Sequence, residues 1–168
     1  PPPKAAAAAT RAVQLTVDGM ETQSAVAGTS APAGRTFVIV STSWKSLLST
    51  EYLVPAVGRH VWLIADDRYA EPVDERATRE IPGHLPFPSL SIRPGGELLK
   101  GRLAFSAPSS AASLALLYLD NEFGNAVVSV KGLPSGLPLP PTLGPARKND
   151  VVALGVTEAS WTSSAPSR

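Results

Sequence analysis

Prolines recur along this chain, 17 of them in 168 residues, and they limit what it can fold into more than any other feature. Inside a helix each one removes a backbone donor and clashes with the preceding turn, at a cost of about 3 kcal/mol. Long helices are therefore excluded, and short extended segments have to bury the apolar residues. The apolar spacing agrees, because its period is two. Val13, Leu15 and Val17 alternate with Gln14 and Thr16 as a half-buried strand does. Thr36–Trp44 (TFVIVSTSW) is the strongest strand signal. It sets Val38, Val40, Thr42 and Trp44 on one side and Phe37 and Ile39 on the other, and it should lie centrally.

Further strands follow at Tyr52–Ala56, where Pro55 restricts the segment to an edge or an end, and at His60–Ala65. Leu90–Ile92 leads to the turn Arg93-Pro94-Gly95-Gly96. Leu98–Ala107 comes next, with Leu103, Phe105 and Ala107 inward. Ser113–Leu119 and Ala126–Val130 read as a last hairpin. Between them Tyr69–Pro88 is a proline-rich, charged excursion with one short helix near Asp74–Arg79. Seven or eight short strands spaced by about ten residues predict an all-β, antiparallel, immunoglobulin-like β-sandwich.

The domain organisation follows from where the alternation stops. Residues 1–10 (PPPKAAAAAT) form a Pro/Ala-rich arm expected to add nothing to the core, and residues 11–132 form the sandwich. Residues 133–149 are a linker or a strap laid over a surface, with five prolines among Leu133–Pro145. Residues 150–168 are an extra strand or the start of a second repeat, since Val152, Leu154, Val156 and Ser163 match Val13, Leu15, Val17 and Ser24. Arms of this composition need a partner to order them, so they are expected to lie along neighbouring subunits or domains.

Composition removes several function classes. There are no cysteines, hence no disulfides, thiolate metal sites or thiol nucleophiles. Fifteen basic residues nearly balance fourteen acidic ones and are scattered, which leaves no electrostatic footprint for nucleic acid. No apolar run approaches the ~20 residues of a membrane span. The Ala5–Ala9 run is too short for a signal-peptide core, and the first residue is Pro1. The sequence therefore reads as a processed protein or a fragment.

Within Ala12–Gly132 the strand order carries a family resemblance. Its elements are a glycine-preceded hydrophobic strand (Gly34, then Thr36–Val40), a Leu-x-x-x-Pro-Gly-Gly element (Leu90, Pro94, Gly95, Gly96) and a Gly-x-Leu-x-Phe-x-x-Pro strand (Gly101, Leu103, Phe105, Pro108). This resembles the telokin-like immunoglobulin sandwiches attached to bacterial secreted proteins and lipoproteins. Trp44-Lys45-Ser46 stands where that family carries an asparagine, and the Tyr69–Pro88 excursion is longer than the family's. The resemblance implies an accessory role, an extracellular or cell-envelope location and no catalytic residues.

The residues themselves assemble no catalytic set. Nucleophilic catalysis needs a nucleophile, a base and an orienting group, and His60 and His84 stand apart with no Gly-x-Ser-x-Gly elbow. The chain is expected not to be an enzyme, with no cofactor and no metal site. The acids Asp66, Asp67, Glu71, Asp74 and Glu75 are interleaved with arginines and read as a self-neutralising loop. Asp120–Asn125 has the composition of a calcium loop but also of an ordinary hairpin turn, which is preferred. Trp44 and Trp62 should point into the core, whereas Trp161 has no local apolar company.

The expected function is a non-catalytic structural or protein–protein interaction module of a larger secreted or surface assembly, with a neighbouring domain or subunit as partner. The alternative is an accessory module binding carbohydrate or peptide, or an inhibitor-like domain. Trp161, Tyr69, His84 and Phe87 are the candidate contacts to a partner or ligand.

Overall fold

Short alternating segments separated by tight turns pair with their neighbours, and the first such turn shows how. The structure, a computed structural model, describes residues 6–54 and 56–132, with the backbone of two short pairings near the C-terminus. Ala6–Ala9 (β1) turns at Thr10, whose Oγ1 accepts from the N–H groups of Ala12 and Val13 at 3.1 and 3.0 Å. The chain returns as Val13–Gln23 (β2). Ala25–Val26 (β3) and Thr29–Ser30 (β4) form a small hairpin, and Arg35–Ser46 (β5) follows. Next come Tyr52–Val54 (β6), the single turn Val57–His60 (α1), Val61–Ala65 (β7), Tyr69–Pro72 (β8), the helix Glu75–Glu80 (α2) and Leu90–Ile92 (β9). Leu98–Pro108 (β10), Leu114–Asp120 (β11) and Gly124–Lys131 (β12) complete the sandwich. Arg147–Lys148 (β13) pairs with Ala153–Leu154 (β14).

Two four-stranded antiparallel sheets result, sheet I in the order β1-β2-β5-β10 and sheet II in the order β12-β11-β7-β8. The all-β antiparallel sandwich expected from the period-two pattern is therefore present, with β5 central as its sequence required. The linker or strap at 133–149 and the extra strand or second repeat at 150–168 lie outside the described residues except for the backbone of β13 and β14, as do Trp161 and Pro1–Ala5.

The core lies between the sheets. Leu15, Val38, Val40, Trp44, Leu103 and Phe105 of sheet I meet Val61, Leu63, Leu114, Leu116, Tyr118 and Val128 of sheet II, all 1% exposed or less except Leu114 at 3%. Trp44 meets Tyr118 edge to face at 5.2 Å, a favoured aromatic geometry. The Trp44 indole N–H donates to Thr42 Oγ1 at 2.9 Å, and Thr42 donates to the Gly101 carbonyl at 3.0 Å, so the buried polar atoms are satisfied.

A second, smaller core sits outside sheet I. Phe37 and Ile39, which face away from the main core, are covered with Ala104 by Ala77 of α2, by Ile81 just after it and by Val26. The helix expected near Asp74–Arg79 is α2. The Asp74 carboxylate caps it by accepting from the Ala77 N–H at 2.9 Å. Thr78 fastens it to β10, its Oγ1 accepting from the Ala104 N–H at 2.9 Å.

Two expectations are corrected. Residues 6–9, assigned to the arm, form the edge strand β1, and Ala6 and Ala8 pack on the core while Thr10 is buried. Small side chains suffice there because β1 sits at a corner of the sandwich between β2 and β12. Trp62, expected in the core, faces outward. Register pairs Leu63 with Leu116, which sends Val61, Leu63 and Ala65 inward and leaves Trp62 and Ile64 half-buried on the other side.

The sheet edges are largely closed, and closure is how natural sandwiches avoid edge-to-edge association. Val73, just after β8, bridges Phe105 of β10, and the Asp74 N–H donates to the Ala104 carbonyl at 2.8 Å. Farther along β10, Leu85 N–H donates to the Arg102 carbonyl at 3.1 Å and Arg102 N–H to the Gly83 carbonyl at 3.0 Å. Gly101 permits this approach, since a Cβ there would stand 2.8 Å from the Leu85 nitrogen. At the opposite corner the Arg11 N–H donates to the Phe123 carbonyl at 3.0 Å.

Candidate functional site

With the edges occupied, the faces remain. The two central strands of sheet II, VWLIA in β7 and LALLYLD in β11, are apolar on both sides. Continuous apolar runs are what strands covered on both faces look like. Here, among the described residues, the core covers one face. On the outer face, register aligns Pro72, Trp62, Leu117 and Val127 in one row and Ala70, Ile64, Ala115 and Ser129 in the next, with Leu119 and Asn125 beyond. No ionisable side chain occupies any of these outward positions. Among the described residues no element is layered on this face as α2 is on sheet I; α1 touches β7 and β11. The Trp62 indole N–H donates to the Arg59 carbonyl at 3.2 Å, which orients the ring in the middle row of the face. Trp62, Ile64, Leu117, Leu119 and Val127 on this face are half-buried, and Ala115 is fully buried.

A polar cluster closes the end of the sandwich beside the β11–β12 turn. Tyr52 donates to Asp120 Oδ2, and the Tyr118 hydroxyl lies 2.9 Å from that of Tyr52 and 3.2 Å from Asp120 Oδ2. Asp120 Oδ1 accepts from the N–H groups of Glu122 and Phe123 at 2.9 and 2.8 Å. Burial first, then the adjoining carboxylate, pushes the Tyr52 hydroxyl up to about 12. Burial and the bond to Tyr52 push Tyr118 well above its ordinary value. Burial also works to raise Asp120, but the hydroxyl and backbone donors outweigh it and hold the carboxyl below its ordinary range. Both carboxylate oxygens are engaged, so the cluster acts as a clamp on the turn. His60 completes this end, with Nδ1 2.7 Å from the Leu119 carbonyl.

Four of the other five acids of the sequence reading, Asp66, Glu71, Asp74 and Glu75, are similarly engaged. Asp66 Oδ1 accepts from the N–H groups of Ala112 and Ser113, both at 2.9 Å, and the Ser113 N–H foremost holds its carboxyl below the ordinary range. Glu71 pairs with Arg35 at 2.6 Å, Asp74 caps α2, and Glu75 pairs with Arg79 at 3.6 Å. Among the described residues no three His, Cys, Asp or Glu side chains group so as to hold a metal ion.

The three candidate contacts within the described residues stand on separate supports. Tyr69 opens the edge strand β8 and is 54% exposed. His84 is exposed on the loop beside β10, its Nδ1 donating to the Leu85 carbonyl at 2.8 Å. Phe87 packs on the main core. The residues that form the apolar face were missed, although their signal was present: two strands apolar on both sides cannot both be served by one core.

Three bacterial proteins of known structure match the chain. One, described as a candidate lipoprotein of Bacillus subtilis, matches with a TM-score of 0.56 at 12% identity, covering 74% of this chain and 38% of that one. This chain thus spans well under half of that protein. A conserved hypothetical protein of Bacillus anthracis matches with a TM-score of 0.49 at 15% identity, covering 73% of this chain and 90% of that one. An uncharacterised β-sandwich protein of Clostridium difficile matches with a TM-score of 0.41 at 14% identity, covering 74% and 89%. No family model and no curated protein matches the chain. At such identities the first likeness is one of fold, and the chemistry of the outer face has to be argued from this chain alone.

Among the described residues no helix is long and apolar enough to cross a membrane.

Proposed function

We propose that this chain is a non-catalytic structural module that docks a protein partner on the outer face of sheet II, as one unit of a larger secreted or cell-surface assembly. The observation that carries the reading is the pair of central strands, β7 and β11, with apolar side chains on both faces and a packed layer on one. A protein partner fits this surface because its outward positions carry no charge, and because its middle row offers Trp62 as an aromatic anchor. The telokin-like immunoglobulin class remains the finer assignment of the sandwich. An extracellular or cell-envelope location accords with it and with the lipoprotein description of the B. subtilis fold neighbour.

A photo-crosslinking residue at Leu117 of the full chain in its producing cell tests the reading. Intermolecular adducts with a neighbouring protein are expected there and not from the same residue at Ser41, on the outer face of sheet I. Equal yields at the two positions, or none at either, would sink it.

A further inference from the structure

The closure of the β10 edge stops at Gly101. Beyond it, Arg102 bonds Gly83 and Leu85 through its backbone N–H and carbonyl. Ala104 N–H donates to Thr78 Oγ1, its carbonyl accepts from the Asp74 N–H, and the Ser106 carbonyl accepts from the Arg35 guanidinium. Every second residue of β10 thus turns its backbone groups away from β5, as the alternation of an antiparallel ladder requires. The register with β5 runs from Leu98 to Pro108 without a shift. The same alternation therefore sends the N–H and carbonyl of Leu98 and Lys100 to that edge, where no described residue bonds them.

This open stretch borders a cleft of about 370 Å³ lined by Ser91, Arg93, Glu97, Leu98 and Leu99, between the end of β9 and the start of β10. Ligand pockets run to roughly 300–1,000 Å³, so the cleft has room for a short segment and not for a domain. Leu98 is 48% exposed at its rim. Its register partner Lys45 reaches the adjoining turn, with Cε 3.5 Å from where a Cβ on Gly96 would stand. Lys100 and Arg93 are exposed. Against these three cations stand Glu97 and Glu51, and Glu51 already accepts from the Ser91 hydroxyl. Unpaired edge groups recruit a further strand. A lysine on the edge deters a like strand and favours one that sets an acid beside it.

We propose that Leu98–Lys100 is a strand-addition site for an extended acidic segment of a protein partner, which bonds the backbone of Leu98 and Lys100 and sets a carboxylate beside Lys100 and an apolar side chain beside Leu99. A second copy of the chain is the poorer occupant, since it would bring Lys45 and Lys100 against their own equivalents. The site lies on sheet I and is independent of the docking face of sheet II.

The probe is the peptide acetyl-Thr-Glu-Val-Glu-Val-Thr-amide, added to the full chain at millimolar concentration. Amide hydrogen exchange at Leu98 and Lys100, followed by nuclear magnetic resonance, is the readout. Exchange at both amides is expected to slow at least fivefold, and the same peptide with lysine in place of glutamate should protect them at least fivefold less. Lys100→Pro deletes a donor that β5 does not use and should abolish the protection at Leu98. If the proline alters the far-ultraviolet dichroism, Lys100→Glu replaces it and should reverse the preference between the two peptides. No protection at Leu98 and Lys100, or equal protection by the two peptides, overturns the proposal. So does slow exchange without peptide that quickens on dilution, which would put a second copy of the chain on the edge. None of these outcomes bears on the crosslinks expected at Leu117.

Discussion

The outer faces of the two sheets solve the same problem in opposite ways. On sheet I the outward positions are polar, such as Gln14, Thr16, Ser41, Lys45 and Lys100, except where Phe37, Ile39 and Ala104 gather under α2. Those three are covered from the same chain, while Leu98, outward at the start of β10, is 48% exposed. On sheet II the outward positions are apolar over both central strands, and no comparable cover exists among the described residues. An antiparallel sheet with one wet face normally alternates apolar and polar residues. Sheet I follows that rule and sheet II breaks it, and a sequence that breaks a local rule without a visible compensation is expected to do so at a functional surface.

The largest test of this contrast is paired truncation. Ile39→Ala, beneath α2, is expected to cost about 2–5 kcal/mol, whereas Leu117→Ala on the half-buried face should cost less than about 1 kcal/mol. Urea melts of the two variants measure both. Equal losses would mean that the two faces are equally buried.

The attachment of α2 gives a smaller effect. Thr78→Val keeps the shape but deprives the buried Ala104 N–H of its acceptor, a loss of about 1–3 kcal/mol. It should appear in the same melts, with faster hydrogen exchange at Ala104. Asp74→Ala removes the cap on Ala77 N–H and should cost about 1 kcal/mol. Neither substitution should alter crosslinker access at Leu117, and if either does, the two faces are coupled and the contrast is too sharp.

The smallest effects concern pH, at the clamp where the sheets meet. The Asp120 carboxyl lies below its ordinary value in the folded state. Its contribution is therefore complete above the unfolded value near 3.9 and fades as pH falls below that through the folded value. Tyr52 lies above its ordinary value of 10.0, at about 12. Its contribution is complete below pH 10 and is lost as pH rises from there toward 12. Melting temperature against pH should accordingly fall at both extremes. Asp120→Asn should flatten the acid limb and Tyr52→Phe the alkaline one. Limbs unchanged in these variants would place the titrating groups elsewhere.

Much of the architecture was legible in the sequence because alternation carries its own face assignment. Val13, Leu15 and Val17, or Leu103, Phe105 and Ala107, can point inward in only one register. The short helix was legible too, from Asp74 ahead of an otherwise charged stretch. VWLIA gave no such direction, since both of its faces are apolar, and Trp62 was placed on the wrong side for that reason. The alanines of β1 carried no strand signal at all, because their pairing with β2 depends on a corner that exists only once the sheets have met.

The sequence by itself determined an antiparallel all-β fold, since prolines forbid long helices and a period of two hides one face of each ribbon from water. It also excluded thiol chemistry, by composition alone. Only the tertiary structure decided which side of β7 and β11 faces the core, because that choice is made by the register between strands distant in the chain. The candidate surface exists only through that choice: the residues left outside by the register are the ones that form it.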